Sequence, residues 1–441
     1  LLCSPNRMCF GVGGWRLDSV DLLGLRGVKV TGIEERSDGV FVDAEEEDRG
    51  IPQCECGGSV YKHGLRTISV RDSSIRRKPT ILRIKRRRYR CQACGTILTN
   101  WIPGVRADRD MTDRLRAQIA EDAIERPFAD AGGLNGVDES TVRRIFAEHA
   151  QQRLEGYSFT LPRVLGMDEK VINGRPRFLI GDVERRTMLD MLPDRKATNL
   201  ADYFNAFTIH ERQNVSVITQ DMYWPYKELN ERFFRSATIV IDKFHVVRYA
   251  NEAVERVRKA IQTDMDDESR IAMKKNIRLL AARPATLDDE GKYRLDRLLR
   301  VHPALSTAVW LKEAFFDLYE CQTAAEAEAH YLAWIELVPP EMRKHFGRIL
   351  SFMRNTRWRR LILNYFEQPF TNAYSEALNG LVDQMNRAGR GYRFETLRAK
   401  ALLRYGPFRY EAANNMSFLS FIRYHGIDLP TFEADLREGR F

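Results

Sequence analysis

A multidomain α+β architecture is predicted for this 441-residue chain, and three observations predict it. Four cysteines stand in two close pairs inside a basic stretch with strand-like alternation. Helical periodicity takes over near residue 111. From Arg163 the pattern runs β-β-β-α-β-α-β and then gives way to a long block of helical pattern. Two to four domains are natural at this length, and 44% hydrophobic residues supply ample core.

Residues 21–49 alternate apolar and polar positions around Ser37-Asp38-Gly39, which reads as a β-hairpin followed by an acidic loop. Residues 51–106 hold the paired cysteines, with short strands such as Thr80–Ile84 and Arg86–Arg90 between them. In 111–150, Leu115, Ile119 and Ile124 share one helical face. A short helix then leads to a turn at Gly136-Val137, an N-cap at Asp138 or Ser140, and a second helix with Val142, Ile145 and Phe146 inward. This is the shape of a helix-turn-helix, whose second helix enters the DNA major groove with Arg143 and Arg144 on its outer side. Helix pairs with a glycine turn also occur in proteins that bind no DNA, and the neighbouring charge favours the DNA reading.

Strands are expected at 163–171, 176–183, 186–192, 215–221 and 237–244, with helices at Leu200–Phe207 and Tyr226–Phe234. Residues 246–366 are almost entirely helical in pattern, with Pro284, Pro303 and Pro339-Pro340 as punctuation. A last helix begins near Thr371, and basic, aromatic-bearing sequence follows it, including Arg387 and Arg390.

The net charge is +9, and its location is more informative than its size. Between Val60 and Ala107 stand thirteen Lys or Arg and a single acid, Asp72, so that segment carries +12 and the rest of the chain about −3. A patch of this density points to a polyanion bound with steep salt dependence. Arg86, Arg87 and Arg88 are its densest run and are expected to contact phosphates. No apolar run approaches the roughly 18–20 residues of a membrane span. Residues 1–20 are too interrupted for a signal peptide, so a cytoplasmic protein without membrane partners is expected; the chain opens on Leu1, with Met8 a candidate start.

Seven cysteines without a secretory signal argue against a disulfide framework. Cys54-x-Cys56 and Cys91-x-x-Cys94, 34 residues apart, suit a structural Zn²⁺ held by four thiolates, and a glycine follows each pair, Gly57 and Gly95. The one-residue gap in the first pair is tight, which leaves His63 open as a substitute for one of its cysteines. Cys3, Cys9 and Cys321 stand apart as ordinary thiols.

Three acids stand where sheet elements end: Asp168 within the first strand, Asp221 closing the fourth, and Glu376 one turn into the late helix. A charge inside an apolar strand is costly unless paired or metal-bound. Carboxylates converging from such elements bind a pair of Mg²⁺ ions for phosphoryl transfer, with Mn²⁺ as substitute. Acids at strand ends also arise by chance.

From about residue 21 to about 405 the chain resembles the ISL3 family of bacterial insertion-sequence transposases. The residues that carry the resemblance are Asp168-Glu169, Asp221, Asp242-Lys-Phe-His245, and TNAYSEALNG with Glu376 and Asn379, followed by NRAGRGYRF. The resemblance implies a zinc module, a helix-turn-helix, and a ribonuclease-H-like α/β catalytic domain of the Asp-Asp-Glu type interrupted by an all-helical insertion. Asp168, Asp221 and Glu376 are then the metal-binding triad. The 155 positions from Asp221 to Glu376 exceed an uninterrupted fold of that kind, and the insertion accounts for them. Asp242-x-x-His245 lies near the active site in such enzymes. There His245 contacts the scissile phosphate, the flanking DNA or a leaving group, or else Asp242 simply caps a helix over a packed His245. Asp242 is also the alternative second metal ligand.

The implied organisation is an N-terminal hairpin segment at 1–50, a zinc-binding basic module at 51–106 and a helix-turn-helix at 107–155. A catalytic domain at 160–248 and 367–405 surrounds a helical insertion at 249–366, and a tail follows at 406–441. The implied function is a Mg²⁺-dependent transposase, working at the bacterial nucleoid, that binds terminal inverted repeats and target DNA. Holding two ends at once makes a homodimer the expected state. Trp224, Trp310, Trp334 and Trp358 include candidates for stacking on an unpaired base, against the plainer reading as core. A catalytically inactive DNA-binding regulator would have lost one of the three acids, and a structure-specific nuclease of the same fold would cut without joining.

Overall fold

A computed structural model describes residues 27–105, 110–263 and 265–408, and the chain divides into two compact units after Glu155. Cys3, Cys9, Met8 and most of the 406–441 tail lie outside the described residues. Among the described residues, no helix is long and apolar enough to cross a membrane.

In the first unit, β1 (Val28–Glu35) and β2 (Val40–Glu46) form the expected hairpin. The cysteine segment departs from expectation. In place of short strands, β3 (Val60–Ile75) and β4 (Lys78–Cys91) make one long antiparallel pair, with β5 (Ile97–Leu98) added to β4. Its two-residue turn uses Arg76 and Arg77, both at positive φ, the backbone geometry that matches the twist of the flanking strands. β2 also pairs in parallel with β4, so the N-terminal hairpin and the cysteine segment share one sheet of order β1-β2-β4-β3. Val42, Ala44, Val70, Leu82 and Ile84 alternate onto its buried face. Asp72, the lone acid of the basic segment, is buried and bound by Arg114 and by the Thr112 hydroxyl at 2.7 Å.

Among the described residues of this unit three helices follow the sheet: α1 (Asp113–Glu125), α2 (Phe128–Asn135) and α3 (Glu139–Leu154). Gly136 ends α2 in the left-handed conformation, φ +64°, and Asp138 caps α3 by accepting from the Thr141 N–H at 2.8 Å. Val142, Ile145 and Phe146 are buried as their spacing predicts.

The second unit holds a five-stranded mixed sheet of order β10-β9-β6-β7-β8. β6 (Val164–Ile172), β7 (Arg175–Asp182) and β8 (Thr187–Leu192) form an antiparallel meander. α4 (Ala197–Asn205) and the short α5 (Ile209–Gln213) lead to β9 (Val217–Gln220), and α6 (Trp224–Phe233) leads to β10 (Thr238–Ile241). β9 and β10 run parallel to β6. One sheet face packs Leu165, Met167, Phe178, Ile180 and Ile218 against Phe204, Tyr226 and Phe233 of the helices.

Past β10 the chain is helical, beginning with the 20-residue α7 (Lys243–Gln262). α8 (Asp267–Lys275), α9 (Ile277–Ala281), α10 (Asp289–Val301), α11 (Pro303–Phe316), α12 (Ala324–Leu337), α13 (Pro340–Arg354) and α14 (Thr356–Leu363) follow. Their core includes Phe315, Tyr331, Trp334 and Phe346, and it is continuous with Ile239 and Ile241 of β10. The chain then returns to the sheet as α15 (Ala373–Ala388) and α16 (Phe394–Tyr405). The protein is thus a multidomain chain of mixed α and β structure.

Candidate active site and metal centre

Strand register explains why the acids of the second unit meet. β6 pairs with β9 as far as Gly166–Thr219, and two residues farther on stand Asp168 and Asp221. β9 pairs with β10 as far as Gln220–Ile241, and the next residues are Asp221 and Asp242. Three neighbouring strands therefore carry acids abreast at the carboxyl end of the parallel pair, the edge where open α/β sheets take ligands. Glu376 arrives in the first turn of α15.

Asp168 and Asp242 are buried, at 3% and 0% exposure. Asp168 Oδ1 accepts the Glu169 N–H at 2.8 Å, and its Oδ2 accepts from Asn379 Nδ2 at 2.6 Å. Asp242 Oδ1 accepts the Asn372 N–H at 3.0 Å and makes no side-chain cap on α7. His245 Nδ1 lies 2.9 Å from Asp221 Oδ1 and 3.4 Å from Asp242 Oδ2. These last three atoms are buried, and none has a partner in hydrogen-bond geometry. Donor atoms of Asp242, His245 and Glu376 all lie within 4.8 Å of one another.

The charges bear on one another strongly. Burial, then the Asp221 carboxylate, pushes Asp168 up to about 7. Burial and then Asp242 raise Glu376. Burial opposes the charge on His245, but Asp221 and Asp242 outweigh it and lift the imidazole to about 10. Four carboxylates around one imidazole leave an excess of negative charge, and two buried carboxylate oxygens, Asp221 Oδ1 and Asp242 Oδ2, stand beside it without a partner in hydrogen-bond geometry. Hard oxygen donors in that condition fit a divalent cation such as Mg²⁺ or Mn²⁺.

Two further residues belong to this site: Asn379, which carried the resemblance without a role, and Asn372, which was not singled out. Asn372 and Asn379 lie four residues before and three after Glu376, so all three share one helix face. Glu169 is a further neighbour: its Oε2 accepts from Arg195 at 2.7 Å and from the Tyr226 hydroxyl at 3.0 Å.

In the first unit the sulfurs of Cys54, Cys56, Cys91 and Cys94 come together, with neighbouring separations of 3.4–3.5 Å. A tetrahedron with Zn–S of about 2.3 Å has sulfurs about 3.8 Å apart, so the group is close to that size. His63, the alternative ligand, is exposed and lies outside the group. Gly57 and Gly95 both adopt φ +72°, giving the tight turns their positions predict. Hydrogen bonding with the Thr96 hydroxyl, 3.2 Å from Cys94 Sγ, and then with its amide draws Cys94 down to about 6. The Cys56 amide lowers Cys54, but the neighbouring thiols prevail and push it up to about 12. Gly58 went unnoticed in the sequence: a Cβ there would stand 2.6 Å from Ala93 Cβ and 2.8 Å from Cys91 Sγ.

The basic residues separate by face. Arg86 is buried at 8% exposure and donates to the Asn100 carbonyl and to Thr99 Oγ1 at 3.2 Å, so it braces the sheet and offers no surface to a phosphate. Arg87 pairs with Asp48 at 3.1 Å, while Arg88 is half-buried. Arg143 and Arg144 lie on the outer side of α3, paired with Glu139 and Glu148. Arg387 pairs with Asp383 at 3.2 Å, and Arg390 is exposed beyond α15. Among the tryptophans, Trp334 is core, Trp310 is half-exposed, and Trp224 meets Trp358 edge-on at 5.5 Å.

Residues 165–401, over half of the chain, match a family model described as transposase. Residues 52–94 match the zinc-finger of transposase IS204/IS1001/IS1096/IS1165, and residues 102–150 match the helix-turn-helix domain of transposase family ISL3. The chain is also 25% identical over 360 residues to the transposase for insertion sequence element IS1001 of Bordetella parapertussis, covering 77% of this chain and 85% of that one.

Proposed function

This chain belongs to the ISL3 family of DNA transposases, and from that premise we propose that it cuts and joins DNA ends at a divalent-metal site built on Asp168, Asp221 and Glu376. The observation that carries the reading is the strand register that sets Asp168, Asp221 and Asp242 abreast at one sheet edge, where donor atoms of Asp242, His245 and Glu376 lie within 4.8 Å of one another. The order β10-β9-β6-β7-β8, an antiparallel meander extended by two parallel strands, supports a ribonuclease-H-like domain at 160–248 and 367–405. The helices of 249–366 are then its insertion.

When bound, a pair of Mg²⁺ ions, or Mn²⁺ in their place, supplies Lewis-acid stabilisation of the charge that develops in displacement at phosphorus. The chain's own residues do the rest. Asp168 is held by the Glu169 N–H and by Asn379, so its carboxylate is fixed before DNA arrives. His245 keeps a proton at Nδ1 between Asp221 and Asp242, which limits their mutual repulsion and orients Asp221. Glu376 closes the site from α15. Water is the nucleophile in end cleavage and a DNA 3′-hydroxyl in strand transfer.

In the same reading Cys54, Cys56, Cys91 and Cys94 hold a structural Zn²⁺ within residues 51–106, and residues 107–155 recognise the terminal inverted repeats. Arg143 and Arg144 face the bases, Arg87 and Arg88 the phosphates, and Arg387 and Arg390 the DNA near the catalytic domain. A homodimer holds the two ends. An inactive regulator is not favoured, because every acid of the triad is in place.

The test is cleavage and joining of a DNA fragment bounded by the element's own ends, with the purified full chain. Products should require Mg²⁺ or Mn²⁺, Ca²⁺ should allow binding without turnover, and Glu376→Ala should be inert. Undiminished cleavage by Glu376→Ala would overturn the triad, and cleavage without joining would make the protein a nuclease.

A further inference from the structure

We propose that Asn372 and Asn379, two carboxamides on the helix that carries Glu376, are positioning residues that fix how Asp168 and Glu376 face each other; this rests on the metal-site reading above. Asn372 is wholly buried, and every polar group it has is used. Its Nδ2 donates to the Met167 carbonyl of β6 at 2.9 Å, and its Oδ1 accepts from the Thr219 hydroxyl of β9 at 3.0 Å. Its N–H donates to Asp242 Oδ1 past β10 at 3.0 Å, and its carbonyl accepts the Glu376 N–H at 2.9 Å. One side chain and its backbone thus tie the start of α15 to all three strands that bring acids to the site.

Asn379 does the complementary task from the next turn. It donates to Asp168 Oδ2 at 2.6 Å, while its own Oδ1 is buried without a partner. A buried amide with one unmatched acceptor is costly in an apolar setting. The cost fits a residue selected for holding Asp168 over one selected for packing. Gly166 allows the close approach: a Cβ there would stand 2.8 Å from Ser375 Oγ and 3.3 Å from Asn372 Oδ1.

Groups that orient metal ligands tune affinity through the ligand they hold, and their removal typically lowers it about 10–100-fold. The experiment is Mn²⁺ binding to the full chain, read as loss of the free-ion electron paramagnetic resonance signal, beside cleavage and thermal melting. Asn379→Ala should weaken Mn²⁺ binding about 10-fold or more while the melting temperature stays within a few degrees. Asn372→Ala removes both side-chain contacts to the strands, leaving only the backbone N–H on Asp242, and is exposed to misfolding, so Thr219→Val, which deletes one donor at constant shape, tests that arm. Thr219→Val should weaken Mn²⁺ binding several-fold, and Thr219→Ser, which keeps the hydroxyl, should restore it. Wild-type Mn²⁺ binding in both Asn379→Ala and Thr219→Val, beside weakened binding in Glu376→Ala, overturns the positioning role alone. Wild-type binding in Glu376→Ala overturns the site reading beneath it.

Discussion

His245 Nδ1 stands 2.9 Å from Asp221 Oδ1, and the imidazole reaches there from the first turn of α7 while Asp221 follows β9. The carboxylates of Asp221 and Asp242 keep the ring protonated at neutral pH against the effect of its burial. Replacing His245 by Ala removes the one positive side chain between two acids. Cleavage should fall about 10–100-fold, with the Mg²⁺ needed for half-maximal rate rising and end binding unchanged. A full metal titration of the variant checks this.

Asp168 gives a pH signature in the protein free of Mg²⁺ and Mn²⁺. Below about pH 4 its carboxyl is protonated both folded and unfolded, because its ordinary value is 3.8. Between there and about 7 the unfolded chain loses the proton first, so stability falls as pH rises, and above that window no further change comes from this group. Asp168→Asn removes the titration and keeps an acceptor for Asn379. Its melting temperature relative to wild type should therefore climb from pH 4 to 7 and then level, measured on zinc-loaded protein in buffer without Mg²⁺ or Mn²⁺.

Zinc binding should depend on Gly58 as well as on the four cysteines. A methyl group at that position meets Ala93 Cβ and Cys91 Sγ, neither of which is the tip of a flexible side chain. Gly58→Ala should bind zinc more weakly and melt lower than wild type, and a chelator should unfold the first unit in both. Elemental analysis should find about one zinc per chain, and none in a Cys91→Ser/Cys94→Ser variant.

Much of this was legible in the sequence, and the failures have physical reasons. Asp168 and Asp221 drew attention because charge inside apolar strands needs a partner, and the fold brings both to one edge. That Asp242 and His245 come within 4.8 Å of Glu376 was implied only by the resemblance, because it depends on the β9–β10 register and on the return of a helix more than a hundred residues later, which residue patterns do not show. Arg86 was misread as a phosphate contact although its signal was present: it continues the inward alternation of Thr80, Leu82 and Ile84 along β4. The long β3–β4 pair was read as short strands because residues 61–67 of β3 are exposed on both faces, so no apolar alternation marks them as strand.

The arginines should divide accordingly. Arg86→Ala should cost about 1–3 kcal/mol of stability, since the Asn100 carbonyl loses a buried donor, and it should affect DNA binding only through folding. Arg88→Ala should weaken binding to all duplexes and reduce the salt slope by about 1. Arg143→Ala and Arg144→Ala should relax preference between inverted-repeat and unrelated DNA. Fluorescence anisotropy across a salt series distinguishes these outcomes.

Asp221 and Asp242 are adjacent across the β9–β10 register, and both approach His245, so the central assignment turns on which of them completes the metal site. The decisive measurement is Mg²⁺-dependent end cleavage by Asp221→Ala and Asp242→Ala, each first shown to be folded and to bind end DNA. Asp221→Ala should be inert, and Asp242→Ala should retain a reduced but measurable rate, because Asp242 acts through His245 and the start of α15. An active Asp221→Ala beside an inert Asp242→Ala would contradict the account and assign the metal to Asp168, Asp242 and Glu376.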